Sequence, residues 1–169
     1  MAEAGVLTQD DRVELIDGEI IEMCPIGTRH AACVRKAGDI LSRLLRNVLI
    51  VSIQNPVHID EYSEPLPDIA LLKPRDDFYS RAHPVPDDVV LIIEVADTSL
   101  DYDRNIKMPL YAKAGIAEAW LVNLPKDIIE VYNDPSGDSH QNCRLISRGE
   151  TFTPSVLGNL TIKADDIIG

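Results

Sequence analysis

The spacing of apolar residues predicts two amphipathic helices. Between positions 28 and 48 apolar residues recur every three or four positions, the period of a helix that buries one face, with Thr28 as its N-terminal cap. A second helix is expected to start between 102 and 106 and to end at Gly115, since glycine commonly terminates helices. Pro109 falls inside this helix and implies a late start or a kink, because proline lacks the N–H that a helix interior uses.

Short apolar runs and alternating patterns predict the strands. The stretch 12–23 predicts a hairpin with Asp17-Gly18 as its turn. The run 68–72 predicts a strand that begins at Asp68, and the almost entirely apolar run 89–95 predicts a central strand covered on both faces. Further strands are expected at 49–53, 56–59, 118–123, 127–132, 143–147 and 160–162, with a loop at 73–88 and a turn at 134–139.

The order of these elements is β-β-α-β-β-β-β-α-β-β, which predicts an α/β fold. A mixed sheet is flanked by helices, with an extra hairpin at the N-terminus and further β segments at the C-terminus. No internal repeat, linker or low-complexity segment interrupts the sequence. Residues 1–169 are therefore expected to form one domain, with a core from about residue 12 to residue 133.

Composition excludes several classes of protein. With 45% hydrophobic and 26% charged residues the chain has the balance of a globular protein, and no stretch approaches the roughly 20 apolar residues of a membrane helix. Three cysteines without C-x-x-C spacing and an acidic N-terminus indicate a cytoplasmic protein. The formal net charge of −12 argues against general coating of nucleic acid, but it is compatible with a local metal site.

Two acidic residues stand out by their surroundings. Asp68 begins one apolar strand and Glu94 lies deep in another, where an ionised carboxylate is costly unless it is paired. Carboxylates that converge with a backbone or water oxygen suit Mg²⁺, a hard cation. Crowding without a metal should raise the pKa of at least one of them, so Asp68→Asn should leave the metal-free fold as stable as before or slightly more stable.

Lys107 is a third candidate. An ammonium beside a metal site can position or deprotonate a water that attacks a phosphodiester. The alternative is an ordinary surface ion pair, because Asp103 and Lys107 stand at i and i+4 of the predicted helix. Glu14 and His30 are secondary candidates. Zinc-hydrolase, phosphate-loop and serine-nucleophile motifs are missing from the sequence, and a calcium loop from Asp97 fails at its glycine and glutamate positions.

Several segments resemble the Uma-type restriction endonucleases. This family is a branch of the PD-(D/E)XK nuclease superfamily that was formerly catalogued as a domain of unknown function. The most specific similarity lies in the block 94–122, and LPDIA at 66–70 and VELIDGEI at 13–20 are also similar to the family, as is His30 at the start of the first helix. The resemblance covers roughly residues 12 to 133.

The resemblance implies a restriction-endonuclease-like core and hydrolysis of DNA phosphodiester bonds that depends on Mg²⁺, with Mn²⁺ as a substitute. Asp68 takes the place of the metal-binding aspartate, and Glu94 takes the place of the acidic residue that precedes the superfamily lysine by two positions. The main-chain carbonyl of Val95 would be a further metal ligand. Ala96 occupies the usual lysine position, and in this branch a lysine on the next helix, here Lys107, replaces it.

Two functions follow. The first is a metal-dependent endonuclease in which Asp68 and Glu94 hold the ion and Lys107 positions the water. The alternative is an inert interaction or nucleic-acid-binding module that keeps the nuclease fold and acts as a homodimer; the net charge of −12 and the small number of Phe and Trp favour it. Titration with a divalent metal separates the two.

Overall fold

The computed structural model describes residues 11–169, and a six-stranded mixed sheet is their framework. The strands are β1 (Val13–Ile16), β2 (Glu19–Glu22), β3 (Ile50–Ile53), β4 (Ile69–Leu72), β5 (Val89–Ala96), β6 (Glu118–Asn123), β7 (Ile128–Ser136), β8 (Ser139–Ser147), β9 (Thr151–Phe152) and β10 (Ile162–Lys163). The large sheet has the order β3-β4-β5-β6-β7-β8, and within it β5 and β6 run parallel while the other neighbours are antiparallel.

Helices cover both faces of this sheet. They are α1 (Thr28–Leu44), α2 (Leu100–Tyr102), α3 (Met108–Lys113) and α4 (Ala164–Ile168), with a π-helical stretch, Asp103–Lys107, between α2 and α3. Apolar residues of α1 and α4 pack on one face of the sheet, and those of α3 pack on the other. The observed α/β architecture confirms the mixed sheet that the sequence predicts, together with the extra segments at both ends.

Strand β5 lies in the interior of the sheet. Successive side chains of a strand point to opposite faces, so Leu91 and Ile93 pack under α1 while Ile92 packs under α3. Both faces are covered, which explains the almost continuous run of apolar residues. Glu94 interrupts that run and is nevertheless buried.

The N-terminal hairpin forms as predicted and is a separate two-stranded sheet. Asp17 and Gly18 have φ angles of 48° and 84°, the left-handed conformation that a tight two-residue hairpin turn requires. Leu15 and Glu64 exchange backbone hydrogen bonds of 3.4 and 2.8 Å, and the Asp17 N–H donates to Ser63 Oγ. These contacts attach the hairpin to the segment that leads into β4.

The second helical region starts earlier than predicted and contains a wide turn. It begins at Leu100 rather than between 102 and 106, and the Met108 N–H donates to the Asp103 carbonyl, a five-residue spacing. In a regular α-helix the ring of Pro109 would clash with the carbonyl four residues earlier. The π-helical stretch ends directly before Pro109, so the widened turn accommodates the proline inside one continuous helical path.

Gly115 ends this region as predicted. Its φ angle is 77°, and its N–H donates to the Ala112 carbonyl at 2.9 Å. The next N–H, from Ile116, donates to the Tyr111 carbonyl at 3.0 Å. This pair of bonds is the Schellman arrangement, which favours glycine because the left-handed conformation is strained for residues with a Cβ.

Other sequence predictions were wrong in detail. The N-cap of α1 is Gly27, Thr28 is already helical, and the helix ends at Leu44 rather than near 48. The segment 56–59 is not a strand; its N–H groups bond to separate loop carbonyls, such as Val57 to that of Pro65. The turn expected at 134–139 is shorter, because cross-strand pairing extends β7 and β8 to Ser136 and Ser139, and α4 was not predicted.

Arg104 connects the π-helical stretch to the sheet. Its guanidinium donates two hydrogen bonds to Glu130 on β7, one of them from Nε at 3.1 Å. Tyr132 Oη and Asn123 Nδ2 donate to the same carboxylate at 2.7 and 3.1 Å. Burial alone would raise the pKa of Glu130, but these donors outweigh it and hold the pKa below its usual value.

We therefore expect Glu130→Gln to lower the free energy of unfolding at pH 7 by about 1–3 kcal/mol, because it removes a charged acceptor and leaves donors unpaired. A carboxylate with a lowered pKa stabilises the fold above its unfolded pKa, and this contribution disappears as the pH falls through the folded pKa. Urea denaturation of both proteins should show a difference that shrinks below about pH 4. Glu19→Gln, on the exposed hairpin, is the control, and equal losses in the two variants would contradict the assignment.

Candidate active site

Asp68 lies at the start of β4, next to Glu94 on β5. The two strands pair with Ile69 opposite Ile93, so Asp68 and Glu94 are neighbours across the pair. The backbone N–H of Asp68 points to Glu94 Oε2 at 3.4 Å. The structure therefore brings the two predicted carboxylates together at one end of the sheet.

The Asp68 carboxylate accepts three hydrogen bonds. They come from His30 Nε2 at 3.0 Å, from the Val95 N–H at 2.9 Å and from Gln54 Nε2 at 3.2 Å. Burial by itself would raise the pKa of Asp68, but these donors outweigh it and lower the pKa, while the bond to Asp68 raises the pKa of His30. Asp68→Asn is consequently expected to destabilise the metal-free protein, contrary to the expectation from crowding alone.

Glu94 is in the opposite electrostatic situation. Its side chain is almost completely buried, and burial raises its pKa to about 8 although Lys107 lowers it. Oε1 accepts a hydrogen bond from the Tyr111 hydroxyl and lies 2.7 Å from Lys107 Nζ. One carboxylate of the pair thus has a raised pKa, chiefly because it is buried, and the other has a lowered pKa.

Lys107 is buried between two carboxylates. Its Nζ lies 2.7 Å from Glu94 Oε1 and 3.1 Å from Glu14 Oε2, and 3% of the side chain is exposed. Burial disfavours the ammonium, but the carboxylates of Glu94 and Glu14 outweigh it and raise the pKa of Lys107. The alternative prediction, a surface ion pair between Lys107 and Asp103, is wrong. Asp103 is also buried, and its carboxylate accepts a hydrogen bond from Ser99 Oγ at 2.6 Å.

Glu14 reaches the site from the N-terminal hairpin. Besides pairing with Lys107, its Oε2 accepts a hydrogen bond from the Leu66 N–H at 3.2 Å. Glu14 is buried, although the alternating pattern of β1 gives no sign that this polar position faces a cleft. The structure thus brings both secondary candidates, Glu14 and His30, to the same place as Asp68.

A cleft of about 430 Å³ is lined by the five candidate side chains, those of Glu14, His30, Asp68, Glu94 and Lys107. Val95 lines it too, and its N–H holds Asp68, while the role of its carbonyl as a metal ligand stays a prediction. The cleft is acidic, but Arg12 lies at its wall together with Lys107. The other charged or hydroxyl-bearing side chains of the lining are those of Glu22, Asp97, Thr98, Ser99, Tyr102 and Asp103.

Sequence reasoning missed Gln54 and Tyr111. Gln54 follows β3 with a φ of 51°, and its amide reaches Asp68 from the neighbouring strand end. Tyr111 stands four residues after Lys107 and contacts the same oxygen of Glu94. That i, i+4 spacing is a signal that could have identified Tyr111, whereas nothing in the local sequence marks Gln54.

The Asp68 and Glu94 carboxylates each keep an unused acceptor direction. A carboxylate offers about four lone-pair directions, and Asp68 uses three of them in hydrogen bonds. Glu94 is contacted by Lys107, Tyr111 and the Asp68 N–H, which leaves one direction as well. Among residues 11–169 no three His, Cys, Asp or Glu side chains form a ready metal site, so backbone or water oxygens would have to complete the coordination. This donor set fits Mg²⁺, which keeps several waters.

Comparison with known proteins identifies the family of the chain. The family model described as "Uma2: Putative restriction endonuclease" matches residues 3–165. The chain belongs to this family. The Uma2 match extends beyond the segments that carry the sequence resemblance, and it includes every site residue described above.

The chain is also similar to the crystal structure of "a putative nuclease belonging to DUF820" from Anabaena variabilis, with a TM-score of 0.73 and 15% sequence identity. The match covers 98% of this chain and 94% of that chain, and it confirms the restriction-endonuclease-like fold. No curated protein matches the chain. Within residues 11–169 no helix is both long and apolar enough to cross a membrane.

Removing the Lys107 ammonium should destabilise the metal-free protein. We expect Lys107→Ala to lower the free energy of unfolding by about 3 kcal/mol, because it leaves the buried Glu14 and Glu94 without their shared cation. Lys113→Ala, at an exposed position further along α3, should change it by less than about 0.5 kcal/mol. Urea denaturation in EDTA measures both. A loss of only a few tenths of a kcal/mol for Lys107→Ala would contradict the buried ion pairs.

Proposed function

We propose that this Uma2 protein is a metal-dependent nuclease that hydrolyses phosphodiester bonds of DNA. The observation that carries the proposal is the convergence of Asp68, Glu94 and Lys107 in one cleft, where each is buried and Lys107 contacts Glu94 directly. Membership of a family described as restriction endonucleases supports the same activity. A bound divalent cation would supply Lewis-acid activation of the phosphate and of a water.

The chain's own residues would hold and orient the groups around that cation. Asp68 and Glu94 are the proposed ligands, with the Val95 carbonyl as a third. His30 and Gln54 fix both oxygens of Asp68, which limits its rotation before a metal arrives. Such outer contacts set the direction of metal ligands and are a large part of a metal site's affinity.

Lys107 is proposed to act on the water and on the phosphate. Its ammonium is held by Glu94 and Glu14 on a rigid helical segment, so its position is fixed. A fixed cation near the reacting phosphorus stabilises the negative charge that develops on the phosphoryl oxygens. Glu14 thereby acts as a positioning residue for Lys107.

One observation favours the inert module as a second candidate. Lys107 already pairs with both Glu94 and Glu14 in the absence of a metal, so neither buried carboxylate depends on a metal ion for a cationic partner. In that case the cleft would bind no divalent cation and the fold would serve as an interaction module, with a homodimer as its proposed state. Metal binding and turnover distinguish the two.

Metal binding is expected to depend on Asp68. Addition of MnCl₂ should raise the melting temperature of the wild-type protein, because a ligand that binds the folded state stabilises it by mass action. Asp68→Asn should abolish this rise, since an amide replaces one anionic ligand. Asp76→Asn, at an exposed position in the loop after β4, should keep it. A wild-type protein that shows no rise with Mn²⁺ or Mg²⁺ would favour the inert module.

Turnover is expected to depend on Lys107. With Mn²⁺ and double-stranded or single-stranded DNA, Lys107→Ala should reduce the cleavage rate by about 100-fold or more while sparing metal affinity, because Lys107 is not a ligand. Lys113→Ala is the matched control on the same helical path. Lys107→Met keeps the aliphatic volume and serves where the alanine variant is too unstable. Equal cleavage by the Lys107 and Lys113 variants would contradict the role of Lys107.

A further inference from the structure

The hydroxyl of Tyr102 is a buried polar atom with no hydrogen-bond partner. Among residues 11–169 it shares this property with one other side-chain atom, His30 Nδ1, and both residues line the cleft that holds Asp68 and Glu94. A buried hydroxyl without a partner costs about 1–3 kcal/mol, and most such groups in native proteins are paired. The described residues themselves therefore supply no hydrogen-bond partner for two polar atoms of the same cleft.

The geometry of the helical region brings Tyr102 to the same side as Lys107. In a regular α-helix residues five positions apart point about 140° away from each other. Here the residues between them form a π-helical stretch, in which hydrogen bonds join residues five apart. Both side chains accordingly line the same cleft. The wide turn that accommodates Pro109 thus also directs Tyr102 toward the proposed reaction centre.

The surroundings of Tyr102 keep its hydroxyl a donor. Burial and the neighbouring carboxylate of Glu14 together raise the pKa of Tyr102 to about 12, although Lys107 lowers it. The phenol is therefore protonated at neutral pH. The nearby carboxylates already have other donors: Lys107 and the Leu66 N–H for Glu14, and Lys107 and Tyr111 for Glu94.

A phosphodiester in this acidic cleft needs hydrogen-bond donors for its oxygens, and among residues 11–169 few cationic side chains line the cleft. Lys107 is engaged by two carboxylates, which leaves Arg12 as the other Lys or Arg side chain among the described residues of the lining. We propose that the Tyr102 hydroxyl donates a hydrogen bond to a non-bridging phosphate oxygen of the DNA substrate. Tyr102 is then a substrate-binding residue of the site, and this inference rests on the proposed nuclease function.

Tyr102→Phe tests the inference, because it removes the hydroxyl and keeps the ring. Binding is measured by fluorescence anisotropy of a labelled DNA duplex in CaCl₂, since Ca²⁺ also takes oxygen ligands. We expect the dissociation constant to rise about tenfold or more, the effect of losing a hydrogen bond to a charged group. The melting temperature of the metal-free protein should stay unchanged or rise, because the deleted hydroxyl has no partner in the fold.

Tyr132→Phe is the matched control. Its hydroxyl donates to Glu130 outside the cleft, so this variant should lose stability and keep the DNA affinity of the wild type. DNA binding by Tyr102→Phe that equals the wild type overturns the inference. A lower melting temperature of Tyr102→Phe together with weaker DNA binding also overturns the inference, because the hydroxyl would then contribute to the stability of the fold.

The wild-type protein separates this inference from the proposed function. Wild-type protein that neither binds DNA nor cleaves it in MnCl₂ shows that the nuclease proposal fails, and the role of Tyr102 fails with it. If the wild-type protein binds and cleaves DNA and the Tyr102→Phe variant does both equally well, the role of Tyr102 is overturned and the nuclease proposal stands. Slower cleavage by the variant at saturating Mn²⁺, together with its weaker DNA binding, supports the role.

Discussion

The ammonium of Lys107, buried between Glu94 and Glu14, is the interaction on which the arrangement of the cleft depends. It joins a central strand, an N-terminal hairpin and a helical segment that are far apart in sequence. Each carboxylate would be costly to bury by itself, and so would the ammonium. Together these three ionisable side chains can lie beneath the surface, close to Asp68, without a compensating solvent shell.

The backbone around Lys107 is shaped to keep that contact. The π-helical stretch places Lys107 over Glu94, and Arg104 in the same stretch is tied to Glu130 on β7. Single π turns inside α-helices occur frequently at functional sites, because they change which side chains share a face. Pro109 favours the wide turn by removing an interior donor, so a residue that disrupts a regular helix helps to define the cleft.

The sequence was sufficient to predict most of the sheet and part of the site. Asp68 and Glu94 could be predicted because an acid in an apolar strand contradicts its surroundings. The catalytic role of Lys107 rested mostly on the family resemblance. The i, i+4 rule led instead to Asp103, because that rule assumes regular α geometry and an exposed face. Glu14 and Gln54 lie in ordinary local patterns, and what places them in the cleft is the packing of distant segments, which a local pattern does not contain.

The separate N-terminal hairpin has a consequence for how the cleft opens. An isolated two-stranded hairpin is marginally stable in water, and this one is attached by backbone bonds at Leu15 and Gly18, by the Asp17 N–H and by Glu14. Local unfolding follows the least stable unit, so the hairpin can detach while β5 stays folded. Detachment would remove Glu14, hydrate Lys107 and leave its ammonium paired with Glu94 alone. The folded core would then keep Asp68 and Glu94 in place as a shallow, open acidic surface, and redocking of the first strands would restore the enclosed cleft.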